Sequence, residues 1–171
     1  WDFFIDFVNA CQEIKNVQIY LIGEGAKRKE VVESLKQFQN CKYYPPVRYE
    51  ELNDVLCNAD LHLLFQKSTV IDTVMPSKIL GMMASAKPSI VTGNEYSEVK
   101  YNLEISEGGF YFHQDKKLEE IMGVLKKLIQ NPGQSMIMGD KARKFVIEKY
   151  SIESVLSQFQ KDIENGLKTN F

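Results

Sequence analysis

The chain has 171 residues, 44% of them hydrophobic, and its 21 Lys and Arg stand against 23 Asp and Glu for a formal charge of −2. That length holds one α/β domain with a sizeable core, and the scattered basic residues exclude a binder of nucleic-acid backbone. Cys11, Cys41 and Cys57 are odd in number and without CxxC spacing, so neither a disulfide scaffold nor a zinc site is implied and a reducing compartment is expected.

The first segment, "WDFFIDFVNACQEIKN", repeats Phe3, Phe4, Phe7, Val8 and Cys11 at helical spacing. It opens on Trp1 without Met, so the chain is expected to be a fragment of a longer protein. "VQIYLIG" is a β-branched and aromatic run ending at Gly23, and "KRKEVVESLKQF" places Val31, Val32, Leu35 and Phe38 on one helical stripe. "CKYYPP" predicts a short strand, "YEELNDVLCNA" a helix with Leu52, Val55 and Leu56 inward, and "LHLLF" a buried strand. A polar loop from Gln66 to Thr73 precedes a helix from about Pro76 to Ala86 and the strand "SIVTG". "SEVKYNLEI" and "GGFYF" add one more helix and strand. The remainder reads as helices in "LEEIMGVLKKLI", "MIMGDKARKFVIEKY" and "IESVLSQFQKDIENGL", separated by "NPG" and by Ser151 as an N-cap. Strands alternating with helices predict a Rossmann-like parallel sheet with helices on both faces and a helical C-terminal tail. The apolar runs, such as Leu61 to Phe65, fall far short of the ~20 residues that cross a bilayer, and no signal peptide opens the chain, so a soluble module is expected.

In such sheets a ligand lies outside the carboxyl ends of the strands. Three junctions there are candidates. "GEGAK" has Gly23 and Gly25, which allow close backbone approach but lack the third glycine of a dinucleotide fingerprint; a simple tight turn is the alternative. In "MPSK", Pro76 suits the first helical position, Met75 offers no oxygen to cap the helix, and the amides of Ser77 and Lys78 with the lysine ammonium make an anion site suited to phosphate. The alternative is that Ser77 caps its own helix and Lys78 is a solvated charge. "PPVRYEEL" places Arg48 and Tyr49 at a third helix start. His62 in an apolar strand and His113 in a polar loop lack carboxylate or thiol neighbours at ligand spacing and read as structural. Met82, Met83, Met122, Met136 and Met138 read as core filler, and no metal is implied.

Taken together, "LIGEG", "YEELNDVLCNADLHLLFQK", "DTVMPSKILGMMASAKPSIVTG" and "MGDKARKFVIEKYS" resemble the C-terminal, donor-binding half of a GT-B glycosyltransferase. The likeness is to the family-four retaining enzymes of bacterial capsule, O-antigen and colanic-acid assembly. "ADLHLLFQK", "VMPSK" and "A-x-A-x-P" resemble the fucosyl- or N-acetylfucosaminyl-transferase-like subgroup.

The resemblance implies one nucleotide-sugar-binding domain over residues 1–171, lacking its first strand and an N-terminal acceptor domain. It implies a UDP- or GDP-sugar donor, no other cofactor, and a lipid-linked or saccharide acceptor. A hexosyl-type transferase is expected of the full-length protein, the fragment alone being inactive. The expected place is the cytoplasm, with peripheral association at the inner face of the membrane. Met75 to Lys78 would hold the diphosphate, Gly23 and Gly25 would face the nucleoside, Arg48 and Tyr49 the base, and Asp72 and Thr73 the donor sugar. Two family glutamates spaced by eight are here Thr73 and Gly81; Asp72 is expected to offset the first change, and the second removes a ribose contact. Two rivals stand beside this reading: a sugar-nucleotide epimerase of the same architecture, and a noncatalytic or regulatory Rossmann-like module.

Overall fold

A computed structural model describes residues 1–67, 77–113 and 115–168, with backbone alone at 167 and 168. The elements run α1 (Asp2–Cys11), β1 (Ile19–Ile22), α2 (Arg28–Leu35), β2 (Cys41–Tyr44), α3 (Tyr49–Asn58), β3 (His62–Phe65), α4 (Ser77–Ala84), β4 (Ser89–Gly93), α5 (Glu98–Ser106), β5 (Gly109–His113), α6 (Leu118–Gln130), α7 (Pro132–Tyr150) and α8 (Ile152–Lys168). Strand β1 pairs in parallel with β2, and β3, β4 and β5 pair in parallel with one another. The expected α/β architecture with helices on both faces and a helical C-terminus is the one found.

Because side chains alternate across a strand, the sheet feeds two cores. On one face Ile19, Leu21, Cys41, Leu63, Phe65, Ile90, Phe110 and Phe112 meet α1, α2 and α6. On the other Leu64, Val91 and Tyr111 meet α4, α5 and α7. All five residues of β4 are buried, as expected of a parallel strand covered on both sides.

The direction of the strands follows from α1. Its first two turns set Phe3 and Phe7 against the Phe65 ring at the carboxyl end of β3, with centroids 5.2 Å apart in each case. Its last turn lies over the amino end of β2, where Asn40 Nδ2 donates to Val8 O at 2.9 Å. Helix α1 is therefore antiparallel to β2 and β3 alike, and all five strands point the same way.

Three local expectations are corrected. Helix α3 has no buried residue: Leu52 is exposed, and Val55 and Leu56 are half-buried. Its stripe is amphipathic, but no neighbour among the described residues covers it fully. Met136 is 69% exposed and not core filler, because it lies on the outer face of α7, whereas Met82, Met83 and Met122 are buried as expected. "NPG" divides α6 from α7 as expected, but its Pro and Gly already belong to α7, which begins at Pro132 and not at Met136. Asn131 N–H closes α6 on Lys127 O and Leu128 O, Pro132 opens α7 directly, and Ser135 N–H reaches back to Asn131 O.

The C-terminal helices are fastened to the sheet layer by close contacts. Gly139 of α7 stands where a Cβ would lie 2.1 Å from Ala86 O, and a Cβ on Gly108 would lie 2.6 Å from that of Ala142. Arg143 Nη1 donates to Ala84 O, the open C-terminal carbonyl region of α4, at 2.6 Å. Further along, buried Asn102 on α5 accepts from Lys149 Nζ at 3.2 Å and Tyr150 Oη at 3.1 Å, and its amide donates to Glu98 O. Ser151 caps α8 by accepting from Ser154 N–H at 3.2 Å.

Candidate functional site

Parallel strands put their carboxyl ends, and the N-termini of the helices that follow, along one rim. Gly23, Gly25, Arg48, Tyr49, Ser77 and Lys78 all fall on that rim, at the β1–α2, β2–α3 and β3–α4 junctions. Four further candidates, Asp72, Thr73, Met75 and Pro76, lie outside the described residues.

Gly23 ends β1 with φ +141°, a backbone region L side chains rarely adopt, and a Cβ there would meet nothing within 4 Å. Its N–H donates to Tyr44 O at 3.1 Å, and its carbonyl accepts from Tyr43 Oη at 2.8 Å. The Arg28 guanidinium stands 5.3 Å from the Tyr43 ring centroid and 3.6 Å from Glu24. The turn is thus held from below by β2 and stays open above, at Gly23 and at Gly25, whose Cβ would also be free. Tyr43 is the residue that sequence reasoning passed over; its place as an inward-facing tyrosine one residue from the end of "CKYY" was the available signal.

At the next junction, Glu51 accepts from Arg48 N–H at 3.3 Å and from Arg48 Nη2 at 2.6 Å. These bonds hold the Glu51 carboxyl below its ordinary range and close the start of α3 on itself. Arg48 is therefore engaged as a helix-start partner. Tyr49 projects freely, at 86% exposure.

Helix α4 is anchored by Ile79, Met82 and Met83, buried in the second core. Ser77 and Lys78, two residues and one residue before Ile79, sit in its first turn and are exposed. No hydrogen bond or ion pair joins either side chain to another described residue. An exposed ammonium beside the positive end of a rigidly packed helix is an electrostatic seat for an anion.

The outer rim is polar as well. Tyr111 Oη donates to Asn94 O at 2.6 Å, and a Cβ on Gly93 would lie 2.5 Å from Tyr111 Oη and 3.2 Å from Gln66 Oε1. Glu95, Lys100, Tyr111 and His113 line an open depression of about 230 Å³ there. A larger one of about 360 Å³ lies between α7 and α8, lined by Glu148, Glu153 and Lys161 among others.

The remaining titratable groups are structural. His62 is buried, with Nε2 2.8 Å from Ser85 Oγ; because that hydroxyl donates to Met82 O at 2.7 Å, the imidazole nitrogen donates to it. Burial, with Lys87 nearby, pulls its pKa from 6.5 down to about 4. Burial pushes the thiol of Cys11 up to about 12 and that of Cys41 to about 11, the behaviour of inert core sulfur. His113 ends β5 and pairs with Asp115 at 3.3 Å. Among the described residues no group of three His, Cys, Asp or Glu side chains could hold a metal, and no helix is long and apolar enough to cross a membrane.

Comparison with solved structures decides the fold. HepE of Anabaena, crystallised with UDP-glucose, superposes with a TM-score of 0.73 at 14% identity over 96% of this chain and 44% of its own. The fold is that of one half of a GT-B glycosyltransferase. WaaG, a glycosyltransferase involved in lipopolysaccharide biosynthesis, shares this GT-B half with a TM-score of 0.65 at 17% identity, over 95% of this chain and 42% of its own. In sequence the chain is 26% identical, over 141 residues, to WcaI of Escherichia coli (strain K12), provisionally assigned as a colanic acid biosynthesis glycosyl transferase; the match covers 82% of this chain and 34% of WcaI. The chain thus spans about a third of WcaI's length and less than half of that of HepE or WaaG. No family model matches it.

Proposed function

We propose that these residues form the nucleotide-sugar-binding half of a glycosyltransferase of bacterial cell-surface polysaccharide synthesis. The carrying observation is the exposed pair Ser77 and Lys78 in the first turn of a core-anchored helix, on the same rim as the open Gly23 turn. The likeness to WcaI supports polysaccharide assembly, and the UDP-glucose bound by HepE supports a uridine or related nucleotide. The fucosyl-type subgroup, a hexosyl donor, a lipid-linked or saccharide acceptor, and cytoplasmic action at the inner membrane face belong to this proposal. So does the view that the fragment is inactive without an acceptor-binding domain.

In this reading the half acts by position and charge. Lys78 and the α4 amides stabilise the negative charge that builds on the leaving diphosphate, and the Gly23 turn lets the nucleoside lie against backbone; no acid or base is needed from this half. Titration calorimetry of the full-length protein with UDP and GDP tests it. Lys78→Ala should weaken the preferred nucleotide by about 1 to 2 kcal/mol, roughly tenfold. Binding of neither nucleotide would overturn the assignment, and unchanged affinity in the variant would remove Lys78 from the site.

A noncatalytic module is the second reading, favoured by Thr73 and Gly81 standing where the resembled family carries two glutamates; a Cβ at Gly81 would meet Leu56 Cδ1 at an ordinary 3.4 Å, so packing does not demand the glycine. Binding without transferase activity in the full-length protein would select it. An epimerase of the same architecture would instead convert the free sugar nucleotide in the absence of acceptor.

A further inference from the structure

Strands β4 and β5 end side by side, with Gly93 opposite His113 in the ladder. The depression of about 230 Å³ at those ends is lined by Glu95, Lys100, Tyr111 and His113, none of which the nucleotide reading uses. They come from the β4–α5 turn, the first turn of α5 and the end of β5. The turn and the ring are fixed in place. Asn94 Oδ1 accepts from Tyr96 N–H at 2.9 Å, Asn94 O accepts from Ser97 N–H at 3.2 Å, and Ser97 Oγ caps α5 by accepting from Val99 N–H at 3.2 Å. Tyr111 Oη donates to the same Asn94 O at 2.6 Å, which spends the phenol proton and holds the ring as an aromatic wall. Gly93 makes room for it, since a Cβ there would lie 2.5 Å from Tyr111 Oη. Such a preformed wall lowers the cost of ordering a site around a ligand.

The charges say what the depression accepts. Lys100 is half-buried and Glu95 exposed, and no hydrogen bond or ion pair joins either to the other or to any other described residue. His113 Nδ1 is taken up by Asp115, whose N–H lies at 3.4 Å and Oδ2 at 3.3 Å. Lys100 and Glu95 are therefore the lining groups that can meet a ligand, one a pure donor and the other a pure acceptor. An anion drawn to Lys100 would face Glu95, and a cation drawn to Glu95 would face Lys100. Hydroxyl groups suit both, because each accepts from the ammonium or donates to the carboxylate without bringing a charge. A volume of about 230 Å³ lies below the ~300 Å³ at which pockets begin to enclose drug-sized ligands; it fits one ring, not a nucleotide.

We propose that this depression is a subsite for a single uncharged sugar ring, its hydroxyls held between Lys100 and Glu95 against the Tyr111 wall. The ring belongs either to a free saccharide or to a nucleotide-linked sugar, and the subsite is argued from its own residues, apart from Gly23 and Lys78. Saturation-transfer NMR titrations of the full-length protein test it, with the methyl glycosides of glucose, galactose and mannose beside the matching uronates and 2-amino sugars. The best neutral glycoside should bind at least about threefold more tightly than its charged counterparts. Lys100→Met and Glu95→Gln should each weaken it about tenfold, and with one charge gone the preference should move, toward the amino sugar in Lys100→Met and toward the uronate in Glu95→Gln. A merely structural role would weaken all three alike. Adding UDP and UDP-glucose separates the two sources. A free saccharide binds beside UDP-glucose, and both variants keep the parent affinity for that donor; a donor sugar makes UDP-glucose compete with the glycoside and lose its advantage over UDP in the variants. No binding of any neutral glycoside, equal binding of neutral and charged sugars, or binding untouched by both substitutions would each overturn the subsite. Nucleotide affinity measured in the same samples shows whether the nucleotide reading stands when the subsite fails.

Discussion

Glycine in the middle of a helix is ordinarily a weakness, and replacing it with alanine favours the helix by about 1 kcal/mol. Gly139 in α7 should behave in the opposite way. An alanine Cβ there would stand 2.1 Å from Ala86 O, 2.5 Å from Ala86 C and 3.0 Å from Lys87 Cα. All three are backbone atoms of the α4–β4 connection, so no side-chain rotation relieves the clash, and α7 must retreat by about 1 Å to restore a normal contact near 3.2 Å. Retreat loosens Ala142 from Gly108 and stretches the 2.6 Å bond from Arg143 to Ala84 O. Overpacking of this kind costs about 1 to 3 kcal/mol and the strained hydrogen bond about 1 more. Against the propensity gain, a net loss of about 2 kcal/mol is expected. With a urea slope of about 2 kcal/mol/M, the unfolding midpoint followed by far-UV circular dichroism should fall by about 1 M. Gly123 in α6, whose Cβ would meet nothing within 4 Å, is the control: Gly123→Ala should raise the midpoint by up to about 0.5 M, worth ~1 kcal/mol. A Gly139→Ala midpoint at or above that of the parent would refute the packing argument.

Acid should act through His62. Its pKa lies below the unfolded value of 6.5, at about 4, so the unfolded chain takes up the proton first; stability is full above pH 6.5 and falls by about 3 kcal/mol as the pH drops to 4. Urea midpoints across that window check this, and His62→Gln should flatten the dependence. Asn102→Ala leaves Lys149 and Tyr150 without their shared acceptor and should cost about 2 kcal/mol, freeing the α7 terminus in proteolysis before the sheet opens. Thiol titration with a disulfide reagent at pH 8 should modify Cys57 in the native protein and reach Cys11 and Cys41 only on unfolding, since both are buried with raised pKa values.

What the sequence made legible was whatever depends on local pattern. The period-two and period-3.6 runs located every strand and helix to within a few residues, and the start of α4 was readable because a proline precedes an apolar stripe. Features set by distant partners were not readable. "YEELNDVLCNA" carries a good stripe, yet no residue of α3 is fully buried, Val55 and Leu56 being half-covered. Arg48 reads as a free cation until Glu51 is seen to take it. Tyr43 acquires its place under Gly23 only because β2 lies beside β1 in the register Leu21 to Tyr43.

The same division runs through the rim itself. A helix start fixes where an anion can sit, because the amides and the lysine belong to one local segment; the shape of the seat depends on loops whose partners lie far away in sequence. Gly23 shows how the two combine. Its positive φ is a local allowance that only glycine takes up easily, but the turn is useful because Tyr43, twenty residues on, ties its carbonyl down at 2.8 Å. Removing that tie leaves the Gly23 carbonyl without its partner and the turn held only by the amide bond to Tyr44 O. If a nucleoside lies against this backbone as proposed, it would depend on a hydroxyl that need not touch it, so that Tyr43→Phe should weaken nucleotide binding through the turn, whereas Lys78→Ala should weaken it through charge.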